Sequence, residues 1–433
     1  MKNRVRDFRI FIILIIAFLV GYYFGVNKVS FDWQNYKPQI VVESKEPPVG
    51  VTTVDFSPFW VVWDKLQTDY YDKTKLDAQK MLNGAISGMV GSVGDPFTLY
   101  LPPVQNTNFK QGLAGEFSGI GAELGTKAKD VIVIAPLDGS PAQKAGIKAG
   151  DTIVKVDGIS IVGLDLASVV DKIRGPKGTK VALTIIHKDT TKQIDVNITR
   201  DTITVKSVDG WIKKVSSIDG ITQDKAKDKT LEQIIAQDNN ANSSVAYIRL
   251  SQFGDNTNKD WTTLINNLNI QIRKENNFKG IILDLRNNPG GYLTDAQYIA
   301  SEFLPQGSPV VSESSSIDNK TLSVDRVGLL TDKPLVVLIN KGSASASEIV
   351  AGALRDDRKI ELIGETSFGK GTIQQAEDLG NGSGLHVTIA KWLTPSGIWV
   401  NGTGLKPDVS VNLDPKDPSR DTQLEKAVEE LLK

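Results

Sequence analysis

Gly280-Ile281-Ile282-Leu283-Asp284-Leu285-Arg286-Asn287-Asn288-Pro289-Gly290-Gly291 is the stretch that decides the fold of this 433-residue chain. Its first seven residues are almost continuously apolar, the pattern of a strand covered on both faces. Pro334-Leu335-Val336-Val337-Leu338-Ile339 repeats that pattern, and 245–250 reads as another strand. Trp261, Leu264, Ile265 and Leu268 fall at helical spacing between them, and a helix over 347–355 and a strand over 360–363 follow. Strands alternating with crossover helices predict a mixed α/β core over 204–414, with a terminal helix within 415–433. The end of the first run carries a second message. Consecutive glycines after a buried strand let the backbone approach a ligand and present N–H groups, although a simple turn would use the same residues.

Gly342-Ser343-Ala344-Ser345-Ala346-Ser347-Glu348 and Phe368-Gly369-Lys370-Gly371 lie beyond the second strand. The chain has two histidines and no cysteine, so a serine activated by a lysine is the economical route to nucleophilic chemistry. Lysine acts as a base only when burial or neighbouring charge lowers its pKa enough to leave it neutral. The local pattern predicts Ser347 as a helix N-cap with Glu348 in the first turn, Ser343 as a turn residue and Ser345 as the free hydroxyl. It does not by itself make any of these serines catalytic. The run from Gly364 to Gly371 nearly matches a phosphate-binding loop, but Gly371 stands where Ser or Thr must hold Mg²⁺. Gly119, Gly121 and Gly125 miss the dinucleotide spacing by one residue. His187 and His386 read as isolated strand residues and make no metal cluster.

Fifty basic residues against fifty-one acidic ones argue against a nucleic-acid binder, which needs a basic face. The first nine residues carry Lys2, Arg4, Arg6 and Arg9, and residues 10–26 then run without a charge. As a helix that run is about 26 Å long, within the range of membrane spans. The basic flank predicts a cytoplasmic stub and an uncleaved signal anchor over 1–27, placing the remainder on the extracytoplasmic side of a bacterial-type cell membrane. A cleaved signal peptide is the rival, but Tyr22, Tyr23 and Phe24 give no small-residue cleavage site. Residues 28–50 read as a proline-containing polar tether. Within a helical segment over 51–112, Phe59, Trp60, Trp63, Leu66 and Tyr70 are expected to pack as one helical face, a dimer contact being the other use.

Residues 113–203 have a different texture, with short β-rich runs between turns and two short helices. The stretch from Pro141-Ala142-Gln143-Lys144-Ala145-Gly146 to Asp151-Thr152-Ile153-Val154-Lys155-Val156-Asp157-Gly158 resembles the signature of a PDZ domain. Gly119-Ile120-Gly121-Ala122 then sits where that family keeps its carboxylate-binding loop. The physics is compatible: glycines let N–H groups converge on an anion, and a sheet edge offers ladder bonds to an extended peptide. The 224–244 stretch, rich in Lys, Asp, Asn and Gln, is left undecided between a partly helical excursion and a mobile loop.

The helical segment, PDZ-like module, Tyr247–Phe253, Asp284–Gly291, Gly342–Glu348, Ser367–Gln374 and Gly402-Thr403-Gly404-Leu405-Lys406-Pro407-Asp408 occur in one order. This set resembles the carboxyl-terminal processing (tail-specific) serine proteases over roughly 51–414. The resemblance implies Ser345 as nucleophile, Lys370 as general base and Gln374 as the residue orienting it, with backbone N–H groups of Ala346 and Gly291 as the oxyanion hole. It further implies an α+β multidomain protein: a crotonase-like protease core with an inserted PDZ domain that receives the substrate tail and gates the site. Protein or peptide substrates with apolar C-termini, possible homodimers through the N-terminal helices, and neither metal nor organic cofactor belong to the same expectation. The alternative is a catalytically silent, membrane-tethered PDZ binding protein.

Overall fold

Parallel strands alternating with helices occupy the middle of the larger of two units, 1–82 and 83–433, into which the chain divides. The computed structural model describes residues 29–34, 37–42, 54–127, 130–137, 139–164, 166–188, 190–204, 206–218, 234–235, 240–413 and 420–433. The expected anchor at 10–26 and most of the 224–244 stretch lie outside the described residues. No helix among the described residues is long and apolar enough to cross a membrane.

In the smaller unit Val29–Gln34 pairs antiparallel with Lys37–Val42, Val29 opposite Val42. A tether was expected there. Val29, Phe31 and Trp33 alternate with Ser30, Asp32 and Gln34, which is the period-two pattern of a strand. The helix Ser57–Asp69 also departs from expectation, since none of its residues is buried. Its aromatic residues gather on one another instead of covering a core: Phe59 meets Trp60 edge-on at 4.9 Å, and Trp60 remains 60% exposed.

The larger unit begins its sheet structure before the PDZ-like module. Leu99–Leu101 pairs with a late strand at Gly384–His386, and helix α1 (Pro103–Leu113) follows it. The chain then enters the module through Glu116–Gly119 and leaves through Asp201–Thr204, two segments that pair antiparallel with each other. Inside, Ala122–Lys127, Asp130–Pro136, Thr152–Val156, Lys180–Ile186 and Gln193–Thr199 form one antiparallel sheet. Two short helices cover it, Pro141–Lys144 and Leu166–Ile173. Val133, Val169, Val181, Leu183 and Ile185 are fully buried between these elements. The module is therefore a domain with its own core, set between pieces of another sheet.

That other domain contains β1 (Val208–Lys214), β2 (Ser244–Leu250), α2 (Thr257–Ile272), β3 (Phe278–Asp284), α3 (Leu293–Ala300), β4 (Leu335–Ile339), α4 (Ala346–Arg358), β5 (Glu361–Gly364), β6 (Thr372–Asp378), β7 (Gly384–Leu393), β8 (Val409–Ser410) and α5 (Thr422–Leu432). Its main sheet runs β1-β2-β3-β4-β5-β8, antiparallel only at β1–β2. Ile281 and Leu283 join a core with Trp261, Ile299 and Val350, while Ile282 joins Val336, Leu338 and Val428 in a second core. Alternate side chains of β3 thus enter different cores, which is why the strand is apolar at consecutive positions. Each such side chain contributes about 1.5–3 kcal/mol on burial. β6 and β7 belong to a smaller sheet with Pro309–Ser315 and Asn319–Ser323.

The glycine turn leaves the end of β3 under firm control. Arg286 Nη2 bonds Asp284 Oδ2 at 2.6 Å and Asp421 Oδ2 at 2.8 Å, joining that strand end to the N-cap of α5. Removing one member would leave a buried charge without its partner, a change that costs about 3–5 kcal/mol.

Candidate active site

Ser343 and Ser345 lie in the loop between β4 and α4 and Ser347 in the first turn of α4, and the structure gives the three different tasks. Ser343 is fully buried; its Oγ donates to Leu285 O at 2.8 Å and accepts from Asn340 N at 2.9 Å. Ser347 is also fully buried and donates to Asn288 O at 2.8 Å. Ser347 is therefore not the N-cap the local pattern predicted. Ser345 holds that position, because Glu348, three residues on, accepts its backbone N–H at 2.8 Å. Ser345 is half-buried at φ 55°, ψ −115°. A side chain beyond glycine is strained there, and such strain gathers at functional sites.

Glu348 is the residue that sequence reasoning placed only as a first-turn acid. Its carboxylate is fully buried and accepts from four donors: Ser367 Oγ at 2.5 Å, Gly369 N at 2.7 Å, Lys370 N at 2.9 Å and Ser345 N. Charge-assisted bonds from rigid backbone donors are among the stronger hydrogen bonds a protein makes. The signal was present in the sequence, since Ser345-Ala346-Ser347-Glu348 has the spacing of a capping box.

Lys370 and Ser345 line a single cavity of about 370 Å³ together with Gln374, Phe97 and Ile349. Burial pushes the Lys370 ammonium below its ordinary pKa, opposed by the nearby charges of Asp95 and Glu348. The Phe97 ring centroid lies 5.1 Å from Nζ. Among the described residues no hydrogen bond joins Ser345 Oγ to Lys370 Nζ. Gln374 sits just after a register shift between β6 and β7, a feature that re-aims side chains. Its Nε2 donates to Thr372 Oγ1 at 2.9 Å and Thr388 Oγ1 at 3.0 Å, leaving Oε1 as its acceptor for an amine. His386 stays a strand residue of β7, packed edge-on against Phe109 at 4.5 Å; burial and the charge of Lys370 both lower its pKa.

The glycine turn after β3 packs directly on the serine loop. Gly290 N is taken by Asn288 Oδ1 at 2.9 Å. Gly291 N and Ala346 N have no hydrogen-bond acceptor among the described residues. A Cβ built on Gly290 would lie 2.9 Å from Ser345 Cβ and 3.0 Å from Ala346 N, so only glycine permits this approach. Two unused backbone donors beside a strained serine form an arrangement able to hold a developing oxyanion.

Gly119, Ile120, Gly121 and Ala122 line a second cavity, of about 400 Å³, with Val170 and Arg174. Gly121 has φ 72°, and a Cβ there would come within 2.5 Å of Ser140 Cβ. The next strand, Ala122–Lys127, lies at the edge of its sheet. An apolar groove beside a sheet edge can accept an extended peptide.

Residues 244–411 match the family model of peptidase family S41, and residues 132–186 match a PDZ domain model. Carboxy-terminal processing protease CtpA of Bacillus subtilis is 36% identical over 351 residues, spanning 81% of this chain and 68% of the relative. The carboxy-terminal-processing protease of Bartonella bacilliformis is 38% identical over 355 residues, spanning 82% and 74%. Among solved structures, a photosystem II D1 C-terminal processing protease is similar with a TM-score of 0.50 and 30% identity, over 87% of this chain and 96% of that one.

Proposed function

Since the chain belongs to peptidase family S41 and its carboxy-terminal processing proteases, we propose that this serine-type endopeptidase acts through Ser345 and Lys370. Neutral Lys370 takes the Ser345 hydroxyl proton as Oγ attacks the scissile carbonyl. The resulting oxyanion accepts from Gly291 N–H and Ala346 N–H. Lys370 returns the proton to the departing amine, and the cycle repeats with water to hydrolyse the acyl ester. Gln374 orients the lysine through Oε1. The observation that carries this reading is the shared cavity of Ser345 and Lys370, with a lysine pKa lowered by burial. Each oxyanion donor in such a mechanism is worth about 3–4 kcal/mol of transition-state stabilisation.

The groove at Gly119–Ala122 receives an apolar substrate tail and thereby gates the protease site. The basic-flanked apolar run at 10–26 supports a signal anchor that holds both domains on the extracytoplasmic side. The exposed aromatic residues of Ser57–Asp69 support pairing with a second copy. A cleavage assay read by product mass spectrometry, using protein that begins near Val51 and an unstructured substrate with an apolar tail, tests the site. Cleavage near the substrate C-terminus is expected, lost in Ser345→Ala and in Lys370→Ala. Full turnover by Ser345→Ala would remove the assignment.

A further inference from the structure

The two proposed oxyanion donors come from different segments, Gly291 from the turn after β3 and Ala346 from the loop after β4. Something must fix their spacing to a fraction of an ångström, because misplacement by about 1 Å costs on the order of 100-fold in rate. Several bonds lace the segments together. Ser343 Oγ reaches Leu285 O, and Asn288 O accepts from Ala344 N at 3.0 Å and from Ser347 Oγ. The remaining rung is different in kind. Asn340 Oδ1 accepts Asn287 N–H at 2.8 Å and Gly342 N–H at 3.0 Å, while Asn340 Nδ2 donates to Asn287 Oδ1 at 2.9 Å.

This rung binds the first residue of one segment to the entry of the other. Asn287 stands at φ 55°, a conformation asparagine tolerates better than most residues. Gly342 permits the close approach: a Cβ there would fall 2.7 Å from Asn287 Cα and 2.8 Å from Asn287 Oδ1. The other rungs are built from buried groups whose loss would disturb the core. The asparagine pair is half-buried at Asn340 and exposed at Asn287, so water can replace its bonds without leaving a buried orphan. Its deletion changes the spacing of the segments more than the stability of the domain.

We infer that Asn340 is a positioning residue for catalysis, a side-chain clasp on Asn287 that sets the distance between the Gly291 and Ala346 N–H groups. The inference rests on the proposed roles of those two donors. The oxyanion exists only after attack, so loosening the clasp acts on the transition state and leaves substrate binding alone.

The test uses the whole chain in detergent with an unstructured protein substrate, measuring kcat and KM separately and thermal melting alongside. Asn340→Ala is expected to lower kcat by roughly 10-fold or more with KM unchanged. Asn340→Asp keeps the acceptor for both N–H groups, and rotation of the Asn287 amide restores the reciprocal bond, so it is expected to recover most of kcat. Asn287→Gly keeps the positive φ while losing the side chain, and carries the same test should Asn340→Ala not fold. Combined with Asn340→Ala it should add little further loss, as partners in one interaction do. The idea fails if Asn340→Ala, or Asn287→Gly in its place, stays within twofold of the parent kcat, if the loss appears in KM, or if Asn340→Asp is as impaired as Asn340→Ala. Failure of the underlying site shows separately, as turnover by Ser345→Ala.

Discussion

Ser345 and Lys370, 25 positions apart in the chain, donate their backbone N–H groups to the same oxygen, Glu348 Oε2, at 2.8 and 2.9 Å. Glu348 Oε1 meanwhile holds Gly369 N and Ser367 Oγ. One buried carboxylate therefore sets where both proposed catalytic residues leave the backbone. Their separation is fixed through a shared acceptor and needs no direct bond between the two side chains in this conformation.

Glu348→Gln tests that relationship. A carboxamide has one acceptor oxygen, and its NH₂ group must then face two of the four donors. Each unmatched buried donor costs about 1–3 kcal/mol, so the melting temperature should fall by several degrees. Catalysis should fall more than stability does, because the backbones of residues 345 and 370 are no longer held at one point. Equal kcat in folded Glu348→Gln and parent protein would show that the carboxylate serves the fold alone.

The pH response follows from Lys370. Burial lowers its pKa, so activity is expected to decline as pH falls through that lowered value and the amine becomes charged. Asp95 is the larger of the two charges opposing the shift. Asp95→Asn should move the acid limb of kcat to lower pH, and an unmoved limb would exclude this coupling. The effect on stability runs in the same direction as for a carboxylate of depressed pKa, only at higher pH. Between the lowered pKa and the ordinary value of 10.5 the unfolded chain binds more protons, so folding gains stability as pH rises across that window. Lys370→Met should thus abolish turnover yet melt higher than the parent near neutral pH, with the difference shrinking toward pH 10.

Gly290 supplies a steric test. An added Cβ would meet Ala344 O at 2.7 Å and Ser345 Cβ at 2.9 Å, and φ is 95°. Gly290→Ala must displace the serine loop or the turn, and kcat is expected to drop by on the order of 100-fold. The strained backbone adds about 1–2 kcal/mol of destabilisation. Normal kcat in the folded variant would mean that the turn does not set the position of Ser345.

The sequence was most readable where one local pattern had one physical meaning. The nearly continuous apolar runs at 280–286 and 334–339 correspond to β3 and β4, buried on both faces between separate cores. The order of motifs carried the family. Reading failed where a residue's role depends on distant partners. Glu348 has a local capping pattern, but its bonds to Gly369 and Lys370 come from a loop about twenty residues away that no spacing announces. Asp95 and Phe97 approach Lys370 from more than 270 positions earlier, a proximity that no local spacing announces. The N-cap was displaced by two residues because serine alternates with alanine there, offering equivalent caps at 345 and 347 until Glu348 selects one. In the 29–42 hairpin, polar residues and a proline mask the alternation of Val29, Phe31 and Trp33 that marks its first strand.

Asp295 offers a pH effect separate from the lysine. It lies in the first turn of α3, directly behind the glycine turn, and burial with the like charge of Asp255 raises its pKa to about 6 against the bond from Asn258. The Asn258 amide donates to Asp295 Oδ1 at 2.9 Å, whereas Asn258 Oδ1 and Asp295 Oδ2 are buried without partners among the described residues. Tyr292, the neighbouring hydroxyl, is engaged with Asp255 Oδ1 at 2.9 Å. A carboxyl whose folded pKa is raised favours the folded state fully below its ordinary value of 3.8 and loses that contribution as pH rises through about 6. Asp295→Asn keeps the accepting oxygen and supplies an N–H for Asn258 Oδ1 at every pH. It should match the parent near pH 4 and exceed it by about 1–3 kcal/mol at pH 8, the worth of satisfying a buried polar group. Melting curves of both proteins across that range decide the matter, and a variant no more stable than the parent at pH 8 would show that the carboxylate is already satisfied.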